Sequence, residues 1–105
     1  MSDSNTLATL RAARQLLVDK GWTQNVFARD AQGQEIDEKH PEASCFCAWG
    51  ALNAVTKDYG PAYGALSEVI QGSVPLFNDA AGRTVDEVLA VFDKAIAALE
   101  ARLVP

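Results

Sequence analysis

Three sets of residues in this chain have types and spacings that chemistry uses. Cys45 and Cys47 stand two apart, with His40, the sole histidine, a few residues upstream. A thiol near a helix start is a candidate nucleophile, because the helix dipole favours thiolate and a neighbouring imidazole can take its proton. Asn78, Asp79 and Arg83 precede a helix start whose backbone N–H groups could hold an anion, with Asp79 as base and Arg83 gripping the charge. Arg29 and Asp30, in the other polar loop, complete a candidate site of Arg29, Asp30, Asn78, Asp79 and Arg83. Trp22, Phe27, Trp49, Tyr59, Tyr63 and Phe77 could wall a ligand pocket or form a sticky surface.

Each set has a plainer reading. Free cysteine is among the most buried residue types, and both thiols lie in an apolar run, so core packing is favoured for them. The segment Ser44-Cys45-Phe46-Cys47-Ala48-Trp49 superficially resembles the cysteine region of papain-like proteases, but those enzymes carry their histidine downstream and none follows here. His40, Cys45 and Cys47, completed by Asp37, Glu38 or Glu42, have no standard zinc spacing, and a helical start would turn the two thiols about 200° apart. Neither a disulfide nor a metal is expected, and no cofactor is called for. Asn78 and Asp79 are residues that order loops through side-chain turns, and Thr84 and Glu87 already satisfy donors that an anion would need. Most of the aromatic rings must be core.

The elements that would position these groups are mainly helical. Leu7, Leu10, Ala13, Leu16 and Leu17 recur at helical spacing and predict helix one over about Leu7 to Lys20, after candidate caps in Asp3 to Thr6 and before Gly21. From Trp22 to Asp37 the period changes around Asp30-Ala31-Gln32-Gly33, which suits a type I turn with a glycine bulge and predicts a short β-hairpin laid on a helical surface. Helix two is predicted from Pro41 or Ser44 to Lys57. Its apolar residues cover nearly the whole circumference, so it should be the central buried helix, with Cys47, Gly50, Ala51 and Ala54 letting a neighbouring helix approach closely. Helix three covers about Pro61 to Gln71, and Val74 to Arg83 reads as a loop because Pro75 stops any continuation. Thr84-Val85-Asp86-Glu87 is a capping box that opens helix four, with an apolar stripe from Val85 to Leu103. The fold class is thus mainly α (α+β): about four helices around a central buried helix, with one hairpin between helices one and two.

Composition narrows the function classes. A chain of 105 residues with 49% hydrophobic and 22% charged residues fits a single domain spanning 1–105, with residues 1–6 expected to be disordered. No apolar run approaches the roughly 18 residues of a membrane helix, and the polar start has no signal-peptide core, so a cytoplasmic protein is expected. The net charge of −5, with basic residues scattered from Arg11 to Arg102, argues against nucleic acid as a partner.

The order and spacing of short motifs carry a resemblance. Gly21-Trp22-Thr23-Gln24, Ala28-Arg29-Asp30 with Gly33, Cys47-x-x-Gly50-Ala51, and Asn78-Asp79 ahead of Thr84 and Val88 resemble a family of small uncharacterised bacterial and phage proteins catalogued as a domain of unknown function. The resemblance covers about Leu7 to Leu99. Phe46 and Phe77 stand where the family pattern has tryptophan, which keeps aromatic character but removes an indole donor. The resemblance implies no activity and transfers no catalytic residue.

With no recognisable nucleophile, metal set or phosphate loop, the sequence points to a non-enzymatic binding or accessory protein, paired as a homodimer or with another protein through helix four or the aromatic loop. The alternative is a small enzyme or metabolite-binding domain using the hairpin and the Asn78 to Thr84 loop.

Overall fold

The computed structural model describes residues 3–103. Its elements run α1 (Asp3–Asp19), β1 (Ala28–Arg29), β2 (Cys45–Phe46), α2 (Ala48–Val55), α3 (Gly60–Ile70), α4 (Val74–Asp79) and α5 (Val85–Leu103). The architecture is mainly helical with one small antiparallel β pair, as the periodicity predicted. Among the described residues, no helix is long and apolar enough to cross a membrane.

The long helices follow directly from their stripes. Leu7, Leu10, Ala13 and Leu17 of α1 are buried against Val88, Phe92, Ala95 and Leu99 of α5, together with Ala62 and Leu66 of α3 and Leu52 of α2. Exposed ion pairs join Asp3 to Arg102, Arg11 to Glu100 and Arg14 to Asp93, a reversed order that sets α1 antiparallel to α5. Such exposed pairs fix register more than they stabilise, at about 0–1 kcal/mol each. Gly21, with a φ of 138°, ends the α1 segment in a conformation that side-chain-bearing residues avoid. At the other end α1 begins at Asp3, so residues 3–6 are helical and do not form a loose end; Met1 and Ser2 lie outside the described residues. The capping box is present, with Thr84 N donating to Glu87 Oε1 at 2.9 Å and Glu87 N donating to Thr84 Oγ1 at 3.3 Å.

The middle of the chain departs from the predicted bounds. The turn at Asp30 to Gly33 forms, with Gly33 N donating to Asp30 O at 3.0 Å and Gly33 at a φ of 82°. Beyond it, however, Glu35 makes only an isolated bridge to Arg29, and the strand that pairs with β1 is Cys45–Phe46, in register Ala28 with Phe46 and Arg29 with Cys45. Cys45 and Phe46 thus form a strand where helix two was expected to start, a difference that arises because an apolar run has no period to separate a buried strand from a buried helix. Helix α2 begins three residues after Cys45, at Ala48, with Cys47 as its N-cap: Cys47 Sγ accepts from Gly50 N at 3.2 Å. Ala48, Gly50, Ala51 and Leu52 are fully buried, and α2 touches α1, α3, α4 and β2 from the middle of the fold.

Two further features concern small residues and a proline. At Gly50 the small-residue face of α2 receives the main chain of Phe27: a Cβ placed on Gly50 would lie 2.1 Å from the Phe27 carbonyl oxygen. The segment read as a loop contains a fifth helix, α4, whose six residues are too few for a hydrophobic period. Left-handed Gln71, with a φ of 62°, ends α3; Ser73 caps α4 by accepting from Leu76 N at 3.2 Å, and Pro75 is well suited to its first turn.

Candidate functional site: a cleft beside a buried asparagine

Where α4 meets the start of α2 and the segment after α1, one polar side chain sits inside an apolar surround. Asn78 is 1% exposed. Burying an amide without partners costs on the order of 1–3 kcal/mol for each group left unpaired, and Asn78 avoids this by using both ends. Its Oδ1 accepts from Trp22 Nε1 at 2.7 Å and from Ala48 N at 3.0 Å. Its Nδ2 donates to Thr23 O at 3.1 Å and to Asp79 Oδ1 at 2.9 Å. One amide therefore ties the indole of Trp22, the loop at Thr23, the first N–H of α2 and the neighbouring carboxylate to α4. Gln24 adds a second tie, donating through Nε2 to the carbonyls of Asn78 and Ala80, both at 3.0 Å.

The other candidate residues are also engaged in holding loops. Arg29 donates from Nε to Thr23 Oγ1 at 2.8 Å and from its terminal nitrogens to the carbonyls of Gly33 and Gln24, locking the β1 turn onto the loop that follows α1. Asp30 Oδ1 accepts from Gln32 N and Gln34 N and so shapes the turn itself. Arg83 donates from Nε to Phe77 O at 2.8 Å, lies 3.7 Å over the Phe77 ring and pairs with Glu87. The structure thus brings Asn78 and Asp79 together with Trp22, Thr23, Gln24 and Asn25, with Arg29 joined through Thr23 and Gln24. Arg83 is held at Phe77 and Glu87, and Asp30 within its own turn.

A cleft of about 240 Å³ opens beside this network, lined by Asn25, Phe27, Glu35, Cys47, Trp49 and Asp79 among others. Its shape follows from local backbone. Asn25 adopts a left-handed φ of 75°, which asparagine tolerates better than most residues, and its N–H donates to Asp79 Oδ1 at 2.8 Å. This bend carries the chain into Phe27, whose carbonyl accepts from Cys47 N at 3.1 Å and whose ring meets Trp49 edge-on at 5.3 Å. Trp49 in turn packs on Tyr63 at 5.0 Å and Tyr59 at 5.8 Å, so the wall is braced from behind by α3 and the residue before it. Phe27 remains 40% exposed on the cleft side of this stack.

Both cysteines are free. Burial pushes the Cys47 thiol above its ordinary range; N–H donors from Gly50 and Trp49 oppose this, and the charge of Asp79 adds to it. Cys47 is therefore a neutral thiol and helix cap at neutral pH. His40 is placed in a turn of its own, where Nδ1 accepts from Glu42 N at 3.0 Å. Among the described residues, no group of three or more His, Cys, Asp or Glu side chains is placed to hold a metal ion.

Reading the sequence missed Asn25, Glu35 and Pro75 as cleft residues, and it missed the capping role of Cys47. The polar run Thr23-Gln24-Asn25 directly after Trp22 was the available signal, since consecutive polar residues beside a large aromatic need partners somewhere. The chain belongs to a family of unknown function (DUF6197), which it matches over residues 1–98. No curated protein and no solved structure matches it.

Proposed function

We propose, from the premise that membership of this family assigns no activity, that the domain is a non-enzymatic binding protein whose site is the cleft between Asn25–Phe27, Trp49 and Asp79. The observation that supports this reading is the aromatic wall: Phe27 and Trp49 form a braced stack beside an open space, with a carboxylate at its edge. Aromatic faces with a few convergent polar groups are the usual make-up of small ligand sites. The volume of about 240 Å³ is below the roughly 300–1,000 Å³ of clefts that enclose drug-sized ligands. The fitting occupant is a fragment or a single side chain.

An enzymatic reading with Asp79 as base and Arg83 as anion holder would require Arg83 to leave the Phe77 carbonyl, the Phe77 ring and Glu87. A second binding reading, a homodimer or other protein partner, is favoured by Leu76, which is 77% exposed on α4 next to the cleft residue Pro75. The α5 stripe offers less for that purpose, because Val88, Phe92, Ala95 and Leu99 are buried within the domain.

Nitrogen-resolved magnetic resonance of the labelled protein, titrated with a mixed set of neutral, cationic and anionic aromatic fragments, tests the cleft. The expected result is movement of the Trp49 indole and Asn25 amide signals while the Trp22 indole, fixed by Asn78, stays in place. Signals that move only on α4 around Leu76, or not at all, would remove the cleft as the site. In the same protein with Cys45 replaced by alanine, alkylation of Cys47 should run slower than that of a free thiol; faster labelling would restore the nucleophile.

A further inference from the structure

The cleft carries a charge asymmetry that selects among fragments. We infer that its occupant is the ammonium or guanidinium end of a small ligand or side chain, seated against Trp49 and Phe27 and neutralised by Asp79 and Glu35. This rests on the cleft being the binding site. Glu35 and Asp79 are the charged residues of the lining, and among the described residues no lysine, arginine or histidine lines it.

Asp79 is held so that one oxygen stays available. Oδ1 accepts from Asn25 N and from Asn78 Nδ2, while Oδ2 receives no hydrogen bond from the described residues. A carboxylate fixed through one oxygen by a backbone N–H and a buried amide is oriented before any ligand arrives, which removes part of the ordering cost of binding. The aromatic wall adds to the same preference, because the faces of indole and benzene rings carry negative potential and attract cations within about 6 Å.

The feature that would otherwise favour an anion is already occupied. The cleft lies at the N-terminus of α2, where unpaired N–H groups normally attract negative charge. Here Ala48 N donates to Asn78 Oδ1, Gly50 N to Cys47 Sγ, and Ala51 N to Cys47 O. An anion entering the cleft would meet two carboxylates and few free donors.

The probe is phenethylammonium, compared with 2-phenylethanol of nearly the same shape and with phenylacetate, at low salt and with the Trp49 indole and Asn25 amide signals as readout. The cation should bind at least about tenfold more tightly than the alcohol, with phenylacetate weaker still. Glu35→Gln and Asp79→Asn should each weaken the cation by about three- to tenfold and leave the alcohol unchanged. Glu35 is exposed, so its variant keeps the fold; Asp79→Asn retains an oxygen for the Asn25 N–H. N-acetyl-lysine methylamide separates the two sources of the charge: binding as tight as phenethylammonium assigns the cleft to peptide side chains, weaker binding to free amines. Equal or tighter binding of the alcohol or of phenylacetate would overturn the cation assignment and leave the cleft standing as the site. Failure of all four probes to move either signal would overturn both.

Discussion

The molecule is held together differently at its two ends. In the helical layer of α1, α3 and α5, apolar stripes meet face to face, and ion pairs decorate the outside. At the cleft end, the chain from Trp22 to Arg29, the start of α2 and the short α4 are joined by side chains that reach backbone: Asn78, Gln24, Arg29 and Cys47 each tie down a loop or a helix end. The first kind of cohesion is broad and tolerant of detail. The second depends on single polar atoms, and it leaves an opening where two packed layers would have closed one.

The largest expected effects sharpen this contrast. Phe92 is the largest fully buried side chain and sits in the helical layer. Phe92→Ala should cost about 3–5 kcal/mol in chemical denaturation. Gly50→Ala adds one methyl group against the Phe27 carbonyl, and should cost about 2–3 kcal/mol by overpacking. The two should differ in where they act. The glycine variant should perturb the Trp49 and Phe27 signals and spare α5, whereas equal disturbance of both ends would erase the distinction between them.

A smaller effect is expected at the lip of the cleft. Asn25 holds a left-handed backbone, so Asn25→Val should cost about 1–2 kcal/mol. Asn25→Gly should stay within about 0.5 kcal/mol, since glycine adopts that conformation freely. Thermal unfolding of the pair checks this, and equal losses would mean that the side chain and not the bend shapes the lip.

How far the sequence could be read follows the same division. The stripes of α1 and α5 and the Thr84 to Glu87 capping box were legible because each is a repeated or local pattern whose partners lie within a few residues. The strand at Cys45–Phe46 was not, because its partners Ala28 and Arg29 lie far away along the chain, and the N-cap at Cys47 was not, because its local acceptor is a thiol and not one of the hydroxyl, carboxylate or amide side chains that mark helix starts. Helix α4 was hidden by its length. For the candidate site, Asn78 and Asp79 stand out in the sequence as polar residues beside an apolar segment, and the structure engages both ends of the Asn78 amide in hydrogen bonds and has Asp79 among the residues lining the cleft. Nothing in the sequence near Asn78 says that a tryptophan indole 56 positions away supplies its partner.

The smallest effect lies on the helical layer. Hydrogen bonding from the Thr84 backbone, aided by Arg83, holds the Glu87 carboxyl below its ordinary range. A folded-state value lowered in this way stabilises fully above the unfolded value, and the contribution fades as pH falls through the folded one. Wild type should therefore exceed Glu87→Gln in stability at neutral pH, with the gap closing in acid. A gap that persists below the carboxylate range would mean that the capping box acts independently of charge.

The claim on which the account rests is that Asn78 is the fastening of the cleft end, separate from the apolar layer. Amide hydrogen exchange of Asn78→Ala measures it directly. The Ala48 amide and the Trp22 indole should lose about 2–3 kcal/mol of protection and open locally, while amides of α1 and α5 still exchange only through global unfolding. If Ala48 and Trp22 continue to exchange at the same free energy as the α1 and α5 amides, the two ends form one cooperative unit and Asn78 is not what fastens the cleft.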